Sequence, residues 1–265
     1  MVKEFASHQY WAVVLGGSSG LGLAAVRKLA AHGMNICIVH RDPRIDMEKI
    51  NAAFDAVRAT GVQLVSFNAD AINAEKRAEI LVQLKEQMGE QGRVRCLLHS
   101  IARGNLKAMI ANGGPVLSID DFRLTMEGMA FSLYEWTQSM VDNQLFADDA
   151  RIISFTSEGS SRAWKHYAAV SAAKAALEAI TRNIALEYAP LGLRANCIQA
   201  GITDTRSLQM IPGSEQLINH DKSRNPFHRL TTPEDVANVV YLLCKDEAAW
   251  INGNIIPVDG GSHIS

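Results

Sequence analysis

Three residues in one stretch carry side chains that could act together on a polar substrate. Ser157 ends a short apolar run, Tyr167 follows ten residues later, and Lys174 comes seven residues after the tyrosine. Seven residues make nearly two turns of an α-helix, so Tyr167 and Lys174 would share one face, roughly 10 Å apart along the axis. A hydroxyl, a phenol and an ammonium group would then meet where a strand ends and a helix begins. In the alternative interpretation, Tyr167 and Lys174 are ordinary surface side chains of a helix.

The composition is typical of a globular enzyme. The chain has 265 residues, of which 48% are hydrophobic and 20% charged, and its formal net charge is −2. This charge gives no reason to expect binding to nucleic acid or to a membrane surface. The four cysteines and eight histidines show no metal-binding spacing, and the N-terminus lacks the apolar core of a signal peptide. We therefore expect a cytoplasmic protein with buried thiols and no metal.

Strand-like and helix-like stretches alternate along the chain. Apolar runs predict strands at 11–15, 35–40, 62–67, 94–99, 151–155, 193–198 and 254–258. Helix-like stretches lie at about 20–32, 43–59, 73–90, 121–145, 166–188 and 232–245. Several of the strands are apolar throughout, which is typical of a parallel sheet that is covered on both faces. The alternation predicts one α/β domain over residues 1–265, with a doubly wound (Rossmann) parallel sheet of seven strands.

Two segments interrupt this alternation. Residues 101–120 form a glycine-rich connection, and residues 201–230 form an insertion before the last helix. Ligands of doubly wound sheets bind at the carboxyl ends of strands, where both segments begin. The insertion predicts either a lid over an apolar substrate or ordinary core packing. Its apolar residues are Leu208, Met210, Ile211, Leu217 and Ile218, and further candidates for the same pocket are Met109, Ile110 and Phe155.

A glycine-rich turn directly follows the first strand. It comprises Gly16–Gly22 and leads into a helix-like stretch. Its glycines would let the chain turn tightly and let a phosphate approach the backbone, and the helix N-terminus would offer free N–H groups. This context predicts a dinucleotide site. The residues predicted to contact the cofactor are Gly16, Ser18, Ser19, Gly20, Leu21 and Gly22.

The glycine spacing G-x-x-x-G-x-G resembles that of the short-chain dehydrogenase/reductase family. The likeness extends over nearly the whole chain and includes Asp70 after the third strand, the Tyr167 and Lys174 pair, and the closing 257–261 segment. It implies that Asp70 borders the adenine, although Asp70 could also be a plain helix cap. Further cofactor contacts implied by the resemblance are Ala71, Ser100, Ile101, Ala102, Lys174, Gly201, Thr203 and Thr205.

The end of the second strand bears on the choice of cofactor. An acidic residue there would bind the ribose 2′-hydroxyl of NAD, but Arg41 occupies this place and Arg44 follows. A guanidinium group suits a 2′-phosphate through charge-assisted bonds, so we favour NADP(H) over NAD(H). In the alternative interpretation both arginines are merely solvated, and Asp42 binds the ribose.

The spacing of the tyrosine and lysine departs from most of the family, which carries Tyr-x3-Lys. Tyr-x6-Lys, with His-Ser-Ile at 99–101 and Ala-Gly at 200–201, resembles the enoyl-acyl-carrier-protein (ACP) reductases of bacterial fatty-acid synthesis. Many of these enzymes have a second tyrosine where this chain has Ser157, whereas an NADPH-using subgroup has serine. Ketone-reducing members keep their catalytic serine at the same place. Ser157 therefore leaves the choice between an enoyl and a 3-oxo substrate open.

The resemblance implies NADPH-dependent reduction of the 2,3 double bond of an enoyl thioester by a homotetramer or homodimer. Tyr167 would stabilise the enolate oxygen, Lys174 would bind the nicotinamide ribose, and Ser157 would support the tyrosine or bind the thioester oxygen. The alternatives are a 3-oxoacyl-ACP or other carbonyl reductase and a non-catalytic dinucleotide sensor. Glu158 is expected to be a solvated carboxylate. An acidic ACP would need a basic patch, for which the candidates are Arg103, Arg162, Lys165 and Arg206.

Overall fold

The apolar runs form a single parallel sheet in the computed structural model, which describes residues 3–265. Residues 1 and 2 of the predicted domain lie outside the described residues. In the described part of the chain the sheet has seven strands in the order β3-β2-β1-β4-β5-β6-β7, and all neighbours are parallel. The strands are β1 (Tyr10–Leu15), β2 (Asn35–His40), β3 (Leu64–Asn68), β4 (Arg93–His99), β5 (Phe146–Ser157), β6 (Leu193–Ala200) and β7 (Ile255–Val258). The predicted single-domain Rossmann fold is confirmed.

Helices cover both faces of this sheet. Alternate residues of β1 explain why its sequence is apolar throughout, because Ala12 and Val14 join one buried cluster while Val13 and Leu15 join the cluster on the opposite face. The helices are α1 (Gly20–Ala31), α2 (Met47–Arg58), α3 (Ala74–Met88), α4 (Ile119–Met126), α5 (Ser132–Asp142), α6 (Ala168–Glu187), α7 (Arg206–Gln209), α8 (Ser214–Arg224) and α9 (Pro233–Cys244). None of the helices within residues 3–265 is long and apolar enough to cross a bilayer.

Three helical predictions need correction. The stretch predicted as one helix over 121–145 is divided into α4 and α5 by a π-helical turn at Glu127–Phe131, a rare form that is frequent at functional sites. The 201–230 insertion, for which no helix was predicted, contains α7 and α8. Helix α6 begins at Ala168, so Tyr167 is its N-cap residue and is not helical. The preceding His166 has a φ of 64°, a left-handed conformation that keeps the helix from starting earlier.

The sheet order reverses between β1 and β4, which opens a crevice at their carboxyl ends. Ser100 N donates to Leu15 O at 2.8 Å, and Gly16 N donates to Val39 O at the same distance. The loops that follow β1, β2 and β4 therefore leave the sheet side by side. This is the place where doubly wound sheets bind dinucleotides.

Candidate active site

The glycine-rich turn fits a position that larger residues could not occupy. Gly16 has a φ of 85°, and a Cβ there would lie 2.5 Å from Ser100 O. A Cβ on Gly22 would lie 2.2 Å from Gly16 O. The turn thus passes directly against the loop after β4, and the N-terminus of α1 faces the crevice with its free N–H groups. A pyrophosphate fits this backbone cradle, where the helix dipole favours negative charge.

A cleft of about 770 Å³ extends from this turn across the carboxyl ends of the strands. Most of the predicted cofactor residues line it: Gly16, Ser18, Ser19, Gly20, Leu21, Arg41, Asp70, Ala71, Ser100, Ile101, Ala102, Lys174 and Thr205. Gly22 lies beneath the turn, and Gly201 and Thr203 line a second, neighbouring cavity together with Thr205. The cleft is large enough for a dinucleotide, and its chemistry changes from backbone N–H groups at one end to charged side chains at the other.

One end of the cleft carries two arginines on a single carboxylate. Arg41 and Arg103 each donate to Asp70 Oδ2, at 2.7 and 3.0 Å. The Arg41 side chain is 57% exposed, so its guanidinium can reorient towards a ligand. Asp42 Oδ2 lies 2.8 Å from Nδ1 of the buried His40, so this carboxylate already has a partner within the protein. The role of Arg103 beside Asp70 had no sequence signal, because the two residues belong to different loops.

The three candidate catalytic residues meet beside the cleft. The hydroxyl oxygens of Ser157 and Tyr167 lie 3.4 Å apart. Lys174 Nζ donates to Phe155 O at 2.7 Å, so the lysine of α6 is held against the end of β5. Tyr167 and Lys174 are both buried, and Lys174 lines both the cleft and the second cavity. The strand end and the helix start predicted from sequence therefore bring all three together.

Burial changes the pKa values of Tyr167 and Lys174 in opposite directions. It raises the pKa of Tyr167, although the Ser157 hydrogen bond acts in the lowering direction. It lowers the pKa of Lys174 to about 8, because the ammonium group loses its water. An anionic ligand or an electron-rich ribose oxygen beside Lys174 would restore part of that lost solvation.

The second cavity, of about 190 Å³, lies against Tyr167 and is mostly apolar. The predicted Phe155, Leu208, Met210 and Ile211 line it, whereas Leu217 and Ile218 are only partly buried elsewhere. Met109 and Ile110 were wrongly assigned to the pocket, because they are 69% and 88% exposed. The cavity residues that sequence reasoning missed include Leu106, Met129, Trp164 and Val170.

Glu158 is not the solvated carboxylate that was expected. Its side chain is 13% exposed and lines the second cavity. Arg224 donates to both of its oxygens, at 3.2 and 2.6 Å, and Arg162 approaches at 3.0 Å. Nothing local in the sequence links positions 158 and 224, so only the folded chain reveals this ion pair.

The predicted basic patch is largely neutralised by neighbouring carboxylates. Arg103 pairs with Asp70, Arg162 with Glu158, and Arg206 with Asp46 at 3.3 Å. Lys165 is exposed.

Comparison with known proteins identifies the family. A family model described as enoyl-(acyl carrier protein) reductase matches residues 16–263. Over 188 residues the chain is 31% identical to the enoyl-acyl-carrier-protein reductase (NADH) FabI of Aquifex aeolicus (strain VF5), covering 70% of this chain and 68% of that protein. Over 254 residues it is 28% identical to the peroxisomal 2,4-dienoyl-CoA reductase of Mus musculus, covering 95% and 82%.

The fold is shared with solved structures. The crystal structure of FabI from Candidatus Liberibacter asiaticus matches with a TM-score of 0.85 at 22% identity, covering 100% of this chain and 98% of that chain. The family match and the glycine turn above a seven-stranded parallel sheet agree. The chain therefore belongs to the short-chain dehydrogenase/reductase family of oxidoreductases, in the group described by the enoyl-(acyl carrier protein) reductase model.

Proposed function

We propose that this chain is an NADPH-dependent reductase of enoyl thioesters. The observation that carries the proposal is that Tyr167 and Lys174 line one small apolar cavity beside the dinucleotide cleft. Most members of the family have tyrosine four residues before the lysine, and here that position holds Val170, which lines the cavity without a hydroxyl. The phenol comes instead from the residue before the helix, further from Lys174.

The displaced phenol suits a conjugated thioester. In a ketone the carbon that accepts hydride bears the oxygen itself. In an enoyl thioester the accepting Cβ is two bonds from the carbonyl carbon, so a donor to the oxygen must stand further from the hydride source. The apolar cavity would hold the acyl chain, since it is lined by Leu208, Met210 and Ile211 on one side and Met129 on the other.

The chain's own residues would bind, orient and polarise the substrate. Reduced nicotinamide, when bound, supplies the hydride. As negative charge develops on the thioester oxygen, Tyr167 would donate a hydrogen bond to it and stabilise the transition state more than the ground state. Ser157 would orient the Tyr167 hydroxyl, while Lys174 would use its remaining N–H groups to bind the nicotinamide ribose. The proton would reach Cα from solvent or through a relay.

Arg41 supports NADPH as the reductant. It lines the cleft and offers an exposed guanidinium, which can exchange Asp70 for a 2′-phosphate. The relative from Aquifex aeolicus is named as an NADH enzyme, so the preference must be tested on this chain itself.

The same proposal extends to the carrier, the compartment and the assembly. We infer an ACP-bound substrate of fatty-acid synthesis, reduced in the cytoplasm by a homotetramer or homodimer. The name of the Aquifex aeolicus relative supports an ACP carrier. Exposed Lys165 is a candidate contact for an acidic carrier, and the exposed Ala172 and Ala175 on α6 would allow close packing of a second subunit.

A carbonyl reductase is the second candidate. It is favoured by the 3.4 Å approach of Ser157 to Tyr167, since a serine at this position polarises the carbonyl in ketone-reducing members. A third candidate, a dinucleotide sensor without catalysis, would bind the cofactor in the same cleft.

One assay separates these candidates. Oxidation of NADPH would be followed with crotonyl and acetoacetyl thioesters, each carried on ACP and on coenzyme A. We expect kcat/KM for the crotonyl thioester to be at least about tenfold higher. A faster reaction with the acetoacetyl thioester would make the protein a carbonyl reductase. Binding of NADPH with no turnover of either thioester would make it a sensor.

A further inference from the structure

Arg224 ends helix α8 and joins it to the strand end that carries Ser157. Its Nη1 and Nη2 donate to the two carboxylate oxygens of Glu158, and its Nε donates to Asp221 Oδ1 at 3.1 Å. Both Arg224 and Glu158 have side chains that are only 13% exposed. A guanidinium that holds both oxygens of one carboxylate fixes the direction of the contact as well as its length.

Glu158 begins a short turn that lies directly against Tyr167. In this turn Gly159 approaches the phenol ring so closely that a Cβ on it would be 2.5 Å from Cε1 and 2.9 Å from Cδ1. Gly159 N also donates to Ser157 Oγ at 3.2 Å, and that oxygen lies 3.4 Å from the Tyr167 hydroxyl. The turn therefore contacts both the ring and the hydroxyl partner of the candidate donor.

Helix α8 belongs to the segment that covers the second cavity. Leu208 and Ile211 of the same 201–230 segment line that cavity, and so does Arg224. Apolar residues could have packed α8 against the Glu158–Ser160 turn equally well, because an ion pair that is largely removed from water adds little net stability over a well-packed apolar contact. What the ion pair adds is a fixed geometry between the segment over the cavity and the turn beneath Tyr167.

We propose that Arg224 and Glu158 are positioning residues that couple the docking of α8 to the placement of the Tyr167 phenol. This inference rests on the proposed reductase function. When the 201–230 segment closes over an acyl chain, the guanidinium holds the Glu158–Ser160 turn against the ring and keeps the hydroxyl aimed into the cavity. When α8 departs, the turn loses its anchor, and the phenol loses the surface that orients it.

A double-mutant cycle tests this coupling in the holoenzyme with saturating NADPH. The variants are Glu158→Gln, Arg224→Gln and the double variant, assayed with whichever thioester the wild type reduces faster. We expect each single variant to lower kcat about tenfold with the KM for NADPH within about twofold, and the double variant to be no slower than the slower single. If the two losses multiply in the double variant, or if each single stays within about twofold of wild type, the proposal is wrong.

Arg162→Gln is the matched control. Arg162 also contacts Glu158, but its side chain is 49% exposed and it lies near the turn itself, outside α8. Its loss should leave kcat within about twofold, as is usual for an exposed ion pair. Arg224→Lys keeps the charge without the bidentate contact and should fall between wild type and Arg224→Gln. It also replaces Arg224→Gln in the cycle if that variant does not fold.

Hydrogen exchange tests the coupling without activity. We expect Glu158→Gln to speed exchange of the backbone amides of α8, and Arg224→Gln to speed exchange in residues 158–168, because coupling between two sites is reciprocal. Unchanged exchange of α8 in Glu158→Gln would overturn the proposal. If the wild type reduces neither thioester, the proposed function fails, and the exchange results still decide whether the two segments are coupled.

Discussion

Buried cationic side chains lie at both ends of the sheet. They differ in how many of their N–H groups donate hydrogen bonds within the protein. At the amino end, Arg95 donates to Cys244 O, to Asp149 and to Asp246 through all three of its nitrogens. Its neighbour Arg151 donates to Leu243 O and to the same Asp149. Both arginines are 1% exposed, and both meet the carboxyl end of α9, where a helix favours positive charge.

At the carboxyl end, Lys174 is almost as deeply buried but has one hydrogen bond to the described part of the chain, to Phe155 O. Its remaining N–H groups have two cavities beside them. A buried cation whose donors are all used is a structural group, because any change leaves its partners unsatisfied. One that keeps free donors beside a cavity is held for a ligand. This distinction separates the two ends of the sheet.

The largest effect is expected on stability at the amino end. Arg95→Met removes the donors for Asp149, Asp246 and Cys244 O while keeping a side chain of similar length. We expect the free energy of unfolding to fall by about 2–4 kcal/mol, measured by urea denaturation, because Cys244 O loses both side-chain donors and Asp149 loses one of its arginines, with kcat and KM within about twofold. Arg123→Met is the control, since its ion pair with Asp120 is exposed and should contribute under about 1 kcal/mol. A large loss of kcat in folded Arg95→Met would contradict a purely structural role for the cations at the amino end of the sheet.

The second-largest effect is expected on reductase activity, from a change at the carboxyl end of the sheet. Tyr167→Phe keeps the buried ring and removes only the hydroxyl beside Ser157. We expect kcat to fall about 10²–10³-fold, as for loss of one donor to a developing oxyanion, while the unfolding transition stays within about 1 kcal/mol of wild type. The measurement is NADPH oxidation at saturating thioester. Full activity of this variant would remove Tyr167 from the mechanism.

Lys174→Met should separate activity from stability. Burial lowers the pKa of Lys174 from 10.5 to about 8, so at neutral pH the folded apo-protein carries an ammonium group that the unfolded chain solvates better. Each pKa unit corresponds to about 1.4 kcal/mol, and loss of the bond to Phe155 O offsets part of the gain. We therefore expect Lys174→Met to be inactive and about 1–2 kcal/mol more stable than wild type at pH 7.

The pH dependence of the free energy of unfolding tests independently whether Lys174 stabilises or destabilises the fold. Between about pH 8 and 10.5 the unfolded wild-type chain binds more protons at this lysine than the folded chain does, so this group makes the stability rise with pH. The rise should be absent in Lys174→Met when urea unfolding is compared at pH 7 and pH 9.5. A variant less stable than wild type at every pH would mean that Lys174 is structural, like Arg95.

The sequence was informative wherever a local pattern determines the structure. The strands follow from apolar runs, and the glycine turn follows from residues that only a tight, close-packed backbone requires, such as Gly16 and Gly22. Ser157, Tyr167 and Lys174 could be assembled because the end of β5, the N-cap of α6 and α6 itself follow one another closely along the chain. The start of α6 was placed too early, since the left-handed conformation of His166 has no clear sequence signal.

Contacts between distant loops could not be predicted. Glu158 meets Arg224, and Asp70 meets Arg103, only because segments that are distant in sequence come together at the same edge of the sheet. Hydrophobicity alone also failed for Met109 and Ile110, because an apolar side chain in a loop has no period that tells which way it faces. The same limit applies to Arg95, whose strand position reveals its burial but not its partners.

The smallest effect concerns Arg41, whose side chain is 57% exposed. Its ion pair with Asp70 is exposed and contributes under about 1 kcal/mol, so Arg41→Ala should leave the unfolding transition nearly unchanged. If the guanidinium is reserved for a 2′-phosphate, the KM for NADPH should rise about tenfold while the KM for NADH stays within about twofold. Arg44→Ala is the control, because among the described residues Arg44 does not line the cleft. Equal changes for both cofactors would show that a free donor beside a cavity is not enough to assign a ligand.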